Sequence, residues 1–261
     1  MARLKKTFGQ HLMTSDLVVQ DILDISEISS DDLIIEVGPG TGILSSPIVS
    51  KAAKAILIEI DHDMVNILQE KFSNLTNLEI IEGDILEQNI LAVTKGKPYK
   101  VIANLPYNSA SRIIRFFVEN HHQPQDMVVT IQKEVADNLL SQTGNPSLFS
   151  LAIKLYADTE FVRFVSPENF SPPPKVNSSV IKITPRSDIL IPLEYIDILF
   201  VIAKACFLSR RKQMVNSLSN NLNISKASVH LWLSKAEIEG SRRPETLSVE
   251  EWYRLVRNYE Y

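Results

Sequence analysis

Residues 33–42 read LIIEVGPGTG. An apolar run ends at Val37, and three glycines follow at positions 38, 40 and 42. The run does not alternate apolar with polar residues, which suits a strand covered on both faces. The glycines permit a sharp turn into a helix and a close approach of backbone to ligand. A covered strand that runs straight into a glycine-rich turn is the opening unit of a doubly wound α/β sheet.

The same grammar continues outward. Apolar runs of strand length recur at 55–60 (AILIEI), 78–83 (LEIIEG), 99–104 (YKVIAN), 126–132 (DMVVTIQ), 161–165 (FVRFV) and 178–183 (SSVIKI). Helical stretches lie between them, as at 62–72 and 109–121. The last two runs have no full-length helix between them and predict an antiparallel hairpin at one sheet edge. After TPRSD (184–188) the strand pattern stops, and PLEYIDILFVIAKACFLSRRK carries apolar residues at three- and four-residue spacing. Pro185 and Pro192 bracket the change. The reading is an α/β domain over 1–186 and a small all-helical domain over 187–261. A helix-turn-helix rhythm at 222–236, with Ser225 as a cap, is better read as a packed helical appendage.

The chain has 261 residues, 44% of them hydrophobic, enough for one large domain plus a small one. No run of about 18 apolar residues suggests a membrane span, and MARLKKTFGQHLMTSD lacks the apolar core of a secretion signal. A cytoplasmic protein is expected. The single cysteine, Cys206, excludes an internal disulfide and a cysteine-based zinc site, and the five histidines lack metal-ligand spacing, so no metal is expected. A net charge of −4 argues against a protein that coats nucleic acid nonspecifically, while leaving room for local basic contacts at 3–6, 209–212 and 241–243.

The chemistry sits at strand ends. Gly38 and Gly40 follow the first strand, Glu59 ends the second, and Asp84 follows the third. Open α/β sheets bind ligands at that end. Glu59 can accept from ribose hydroxyls, and Asp84 from the exocyclic amine of an adenine. The set fits a dinucleotide or S-adenosylmethionine. The GxGxG spacing, without the third glycine of GxGxxG, favours the latter. So does Glu36, which is unhelpful beside a pyrophosphate and acceptable near a cation. At the end of the fourth strand stands Asn104-Leu105-Pro106-Tyr107. An adenine amine is a poor nucleophile because its lone pair is delocalised. The Asn104 side-chain oxygen and a backbone carbonyl held by Pro106 can accept its N–H bonds and free that pair. Tyr107 offers a ring for the target base.

These motifs, with FGQHLM (8–13), FSPPPKVNSSV (170–180), SRRK (209–212) and RRPETLSVEEW (242–252), run in one order over almost the whole chain. The sequence resembles the ribosomal RNA adenine dimethyltransferases, most closely the branch acting on small-subunit rRNA (the KsgA family). The resemblance implies a class I S-adenosylmethionine-dependent methyltransferase fold with a C-terminal helical domain. It implies dimethylation of two adjacent adenines near the 3′ end of small-subunit rRNA, with that rRNA or a partly assembled small ribosomal subunit as partner; a monomer is the default expectation, since the sequence gives no oligomeric state. It assigns cofactor contacts to His11, Met13, Gly38, Glu59, Asp84 and Asn104, and Gly40 joins them from the loop. It frames the target amine with Asn104, Leu105, Pro106 and Tyr107, and sets Phe170 on the base opposite Tyr107. Arg210, Arg211 and Lys212 become RNA contacts. Many relatives carry Asn at the position of His11 and Leu at that of Met13; both changes are conservative for the contacts implied.

Other readings remain. A large-subunit enzyme of the antibiotic-resistance branch shares NLPY but typically lacks the PPPKV form. An assembly or transcription factor would keep the fold mainly for binding, against which the intact Glu59, Asp84 and Asn104 argue. A DNA adenine methyltransferase would usually carry proline in place of Leu105.

Overall fold

The computed structural model describes residues 11–140, 147–209 and 211–259. The basic cluster at 3–6 and Arg210 lie outside the described residues. The chain divides into two compact units. One takes the residues up to Leu140 and Ala157–Pro185, and the other takes 147–156 and the residues from Arg186 onward.

Among the described residues the first unit has nine strands, β1 Leu12–Met13, β2 Leu33–Val37, β3 Lys54–Glu59, β4 Leu78–Glu82, β5 Lys100–Asn104, β6 Met127–Gln132, β7 Ala157–Val165, β8 Phe170–Ser171 and β9 Ser178–Pro185. Seven of them form one sheet in the order β4-β3-β2-β5-β6-β9-β7. The first five are parallel, and β9 and β7 add on antiparallel. This is the expected doubly wound sheet with its antiparallel edge. The chain starts at β2, moves outward through β3 to β4, then returns to β5 on the other side of β2. That reversal opens a crevice beyond the carboxyl ends of β2 and β5.

Burial accounts for the composition of the strands. All five residues of β2 are buried, as are all of β3 except its first. Ile34, Ile56, Ile102 and Val128 are fully buried, in four different strands. Helix α1 (Asp16–Ser26) starts at Ser15, whose hydroxyl accepts from the Val18 amide, and buries Val18, Ile22 and Leu23. The remaining strands β1 and β8 pair only with each other, Leu12 opposite Ser171 and Met13 opposite Phe170. Two residues each are too short to leave a periodic signal, and sequence reading missed this ladder.

The second unit is helical, with α7 Leu148–Tyr156, α8 Ile196–Phe207, α9 Met214–Leu222, α10 Lys226–Lys235 and α11 Val249–Arg257 as its main elements (α2 to α6 belong to the first unit: Ser45–Lys51, His62–Lys71, Ile90–Thr94, Ala110–Val118 and Lys133–Leu140). Its core gathers Leu199, Ile202, Leu218, Trp232 and Trp252, and the Trp232 indole N–H donates to the Leu255 carbonyl at 2.8 Å. Ser225 caps α10 as expected, and Ser248 and Glu251 form a reciprocal capping box on α11. Helix α7 packs here through Leu151 and Leu155, although sequence reading placed 147–156 in the first domain. Its apolar face finds its partners among α8 and α11, so the chain enters the helical unit, returns for β7 to β9, and enters it again. Among the described residues no helix is long and apolar enough to cross a membrane.

One side chain in the sheet is out of character. Glu36, within β2, is 2% exposed, and its Oε2 has no hydrogen-bond partner among the described residues. Burial, reinforced by the nearby Glu59 carboxylate, pushes its pKa up to about 8 from 4.5. A native pKa raised above the unfolded one means that stability is lost as pH rises between those values. Glu36→Gln should therefore raise the thermal midpoint by a few degrees at pH 8–9, about 1 kcal/mol or more. The gain should shrink steadily towards pH 5. Thermal melts of both proteins across this range check it; a gain independent of pH would contradict the assignment.

Candidate active site

The glycine turn after β2 is held from three sides. The Gly38 amide donates to the Ile58 carbonyl at 2.9 Å, and the Gly40 amide donates to Glu59 Oε2 at 3.1 Å. The Lys71 ammonium donates to the carbonyls of Thr41 and Gly42 at 3.1 and 2.9 Å. Gly40 has φ +57°, and a Cβ there would stand 2.6 Å from Leu12 Cδ2. The backbone conformation thus favours glycine at this position, and the tip of the Leu12 side chain packs over it.

Glu59 ends β3 and is 2% exposed. Its Oε1 accepts from the Asp61 amide at 2.9 Å while Oε2 holds Gly40. Burial raises its pKa, and the two backbone donors oppose that shift. Each carboxylate oxygen keeps acceptor capacity for a ligand. Asp84 caps the 3₁₀ turn Ile85–Glu87, with Oδ1 accepting from the Leu86 amide at 2.9 Å.

Asn104 closes β5. Its Nδ2 donates to the His11 carbonyl at 2.8 Å, while Oδ1 is buried and has no partner among the described residues. The His11 ring is fixed in turn: Nδ1 donates to the Pro172 carbonyl at 2.7 Å, and the imidazole packs on Tyr107 with centroids 5.2 Å apart. The Tyr107 hydroxyl meets Ser178 Oγ at 2.5 Å, and burial raises the phenol pKa, which keeps it protonated at neutral pH. The Pro106 carbonyl accepts from the amides of Ser109 and Ala110, which folds the loop into α5.

These groups surround one cavity of about 220 Å³. His11, Gly38, Gly40, Glu59, Asp84 and the run Asn104–Tyr107 all line it. Two expected residues do not. Met13 and Phe170 are each 3% exposed, and their side chains lie in the core with Val18, Val165 and Val180. They face each other across the β1–β8 ladder, and strand alternation turns Leu12, not Met13, to the cavity. Phe170 accordingly presents no open ring opposite Tyr107. Arg211 and Lys212 are exposed on the helical unit. The cavity also has lining that sequence reading did not single out, including Ile85, Leu86, Arg112 and Ile113. Ile85 and Leu86 directly follow Asp84, and Arg112 and Ile113 lie in the first turns of the helix after NLPY; adjacency to those motifs was the available signal.

A family model described as ribosomal RNA adenine dimethylase matches residues 1–260. The chain is 39% identical to the ribosomal RNA small subunit methyltransferase A of Dehalococcoides mccartyi strain 195 over 259 residues, covering 98% of this chain and 89% of that protein. Among solved structures it resembles a dimethyladenosine transferase from Plasmodium falciparum (TM-score 0.76, 24% identity, 94% of this chain and 96% of that one). It also resembles the 23S rRNA methyltransferase ErmE (TM-score 0.74, 23% identity, 95% and 98%). These two likenesses establish the shared methyltransferase architecture. With a family model spanning nearly the whole length, the chain belongs to the ribosomal RNA adenine dimethylase family.

Proposed function

We propose that the chain dimethylates the exocyclic N6 amines of two adjacent adenines in a loop near the 3′ end of small-subunit rRNA, using S-adenosylmethionine. The observation that carries this reading is the Asn104 carboxamide. Its nitrogen is spent on the His11 carbonyl, so Oδ1, buried and without a partner among the described residues, is left as an acceptor in a residue that lines the cavity. An unpaired buried acceptor is costly unless a ligand donor satisfies it.

The residues present fit the methyl donor. The open space beside Gly38, where a Cβ would come no nearer than 4.0 Å to Pro106, the free acceptor capacity of Glu59 and the carboxylate of Asp84 suit a close-lying nucleoside with two hydroxyls and an amine. When bound, S-adenosylmethionine supplies a methyl group already activated on a sulfonium. Asn104 Oδ1 accepts one N6–H of the target, and the Leu105 carbonyl accepts the other. Two preorganised acceptors draw the nitrogen towards a tetrahedral arrangement with its lone pair free. Asn104 is not a base, so the proton lost from the amine passes to water. In the second round one N–H remains, and one acceptor suffices. Tyr107, locked by His11 and Ser178, supplies a fixed ring for the base, while Phe170 backs the wall from the core. The target must be unpaired or flipped to reach the cavity, a demand that a loop meets at low cost. Arg211 and Lys212, with Arg210, would contact rRNA from the helical unit. The 39% identity to a ribosomal RNA small subunit methyltransferase supports the choice of subunit.

The direct test is transfer of labelled methyl groups to small ribosomal subunits from a strain lacking this modification, with naked rRNA and large subunits alongside. Dimethyladenosine formed on small subunits alone supports the reading; methylation of large-subunit RNA alone refutes it. Asn104→Ala should lower kcat by about 10²–10³ while S-adenosylmethionine affinity, read by calorimetry, changes little. Glu59→Gln should do the reverse, weakening cofactor binding about tenfold, ~1.4 kcal/mol, with a smaller change in kcat at saturating cofactor.

A further inference from the structure

The edge strand β7 carries two exposed aromatic rings on one face. Phe161 is 42% exposed and Phe164 56%, with ring centroids 4.8 Å apart. In a regular strand, residues three apart point to opposite faces. Here the pairing with β9 slips between Phe161 and Arg163, so Val162 is an extra residue. Phe161 then lies opposite Ile181 and Phe164 opposite Ser179, two positions that share a face. The bulge thus brings together two large apolar rings that a regular strand would separate, and leaves both in solvent.

The patch is linked by chain and hydrogen bonds to Tyr107, which lines the cavity. The Lys133 ammonium lies 5.3 Å from the Phe164 ring centroid and also pairs with Asp137 at 2.5 Å. The Lys133 amide donates to the Asn177 carbonyl at 2.9 Å, and the next residue, Ser178, holds the Tyr107 hydroxyl. Phe164 is one residue from Val165, the partner of Ser178 in the β7–β9 ladder. Exposed aromatic faces beside an ammonium match an unpaired base and its phosphate: rings stack on the base whatever its sequence, and the cation meets the backbone. An aliphatic protein partner would need neither the ring pair nor the cation.

We propose that Phe161, Phe164 and Lys133 form a stacking platform for an unpaired nucleotide of the substrate RNA that flanks the adenine held in the cavity. This rests on the rRNA reading above. The test compares Phe164→Ala, Phe164→Leu and Phe164→Trp. RNA affinity is read by fluorescence anisotropy on a hairpin with an adenine-containing loop, without the methyl donor, and KM and kcat are read on unmethylated small subunits. Stacking predicts affinity lower by about tenfold for Ala and Leu, restored by Trp, with KM rising in parallel and kcat within about twofold. The positions are exposed, so thermal midpoints should not move. Native RNA affinity in Phe164→Leu would overturn the proposal in favour of a general apolar contact. A concentration-dependent dimer abolished by Phe164→Ala would overturn it in favour of self-association. Failure of the unsubstituted chain to methylate any rRNA would count against the function, while the anisotropy series still decides the platform.

Discussion

The hydrogen bond from Asn104 Nδ2 to the His11 carbonyl organises the site. A carboxamide can present either its donor or its acceptor to a ligand, and this bond settles which. With the nitrogen committed, the buried oxygen is the atom without a partner among the described residues, in a side chain whose residue lines the cavity. The partner is a backbone carbonyl, so it cannot rotate away or change protonation. Its position depends on the short ladder of β1 with β8 and on the His11 ring, which is tied to Pro172 and packed on Tyr107. Segments far apart in the chain thereby converge on one amide.

The opposite wall depends on Glu59. One carboxylate bridges the glycine turn after β2 and the start of α3, through the Gly40 and Asp61 amides. Sheet topology places Glu59 and Asn104 on strands flanking β2, at the crevice where the winding reverses. The buried Glu36 lies in the strand between them. Both acids are buried, and burial raises the pKa of each.

Much of this was legible in the chain. Covered strands announce themselves by Ile and Val without alternation, and the glycine turn, Glu59, Asp84 and NLPY fall at strand ends by position alone. The residues that were misplaced share a cause. Met13 and Phe170 sit in a two-residue ladder, and which way a side chain points there depends on a pairing partner about 160 residues away, which no local pattern encodes. Helix α7 was assigned by its neighbours in sequence, whereas its apolar face packs with α8 and α11. Arg112 lines the cavity because α5 leads directly out of the NLPY loop, and helical spacing carries no mark of a ligand.

The central claim is that Asn104 offers an oriented acceptor to the target amine. The most direct measurement is a crystal structure of the chain with S-adenosylhomocysteine and an RNA hairpin bearing the target adenine. The account predicts the adenine N6 within about 3 Å of Asn104 Oδ1, with Nδ2 still on the His11 carbonyl and the base against Tyr107. An amide turned to present Nδ2 to the base, or an N6 seated away from Asn104, would contradict it.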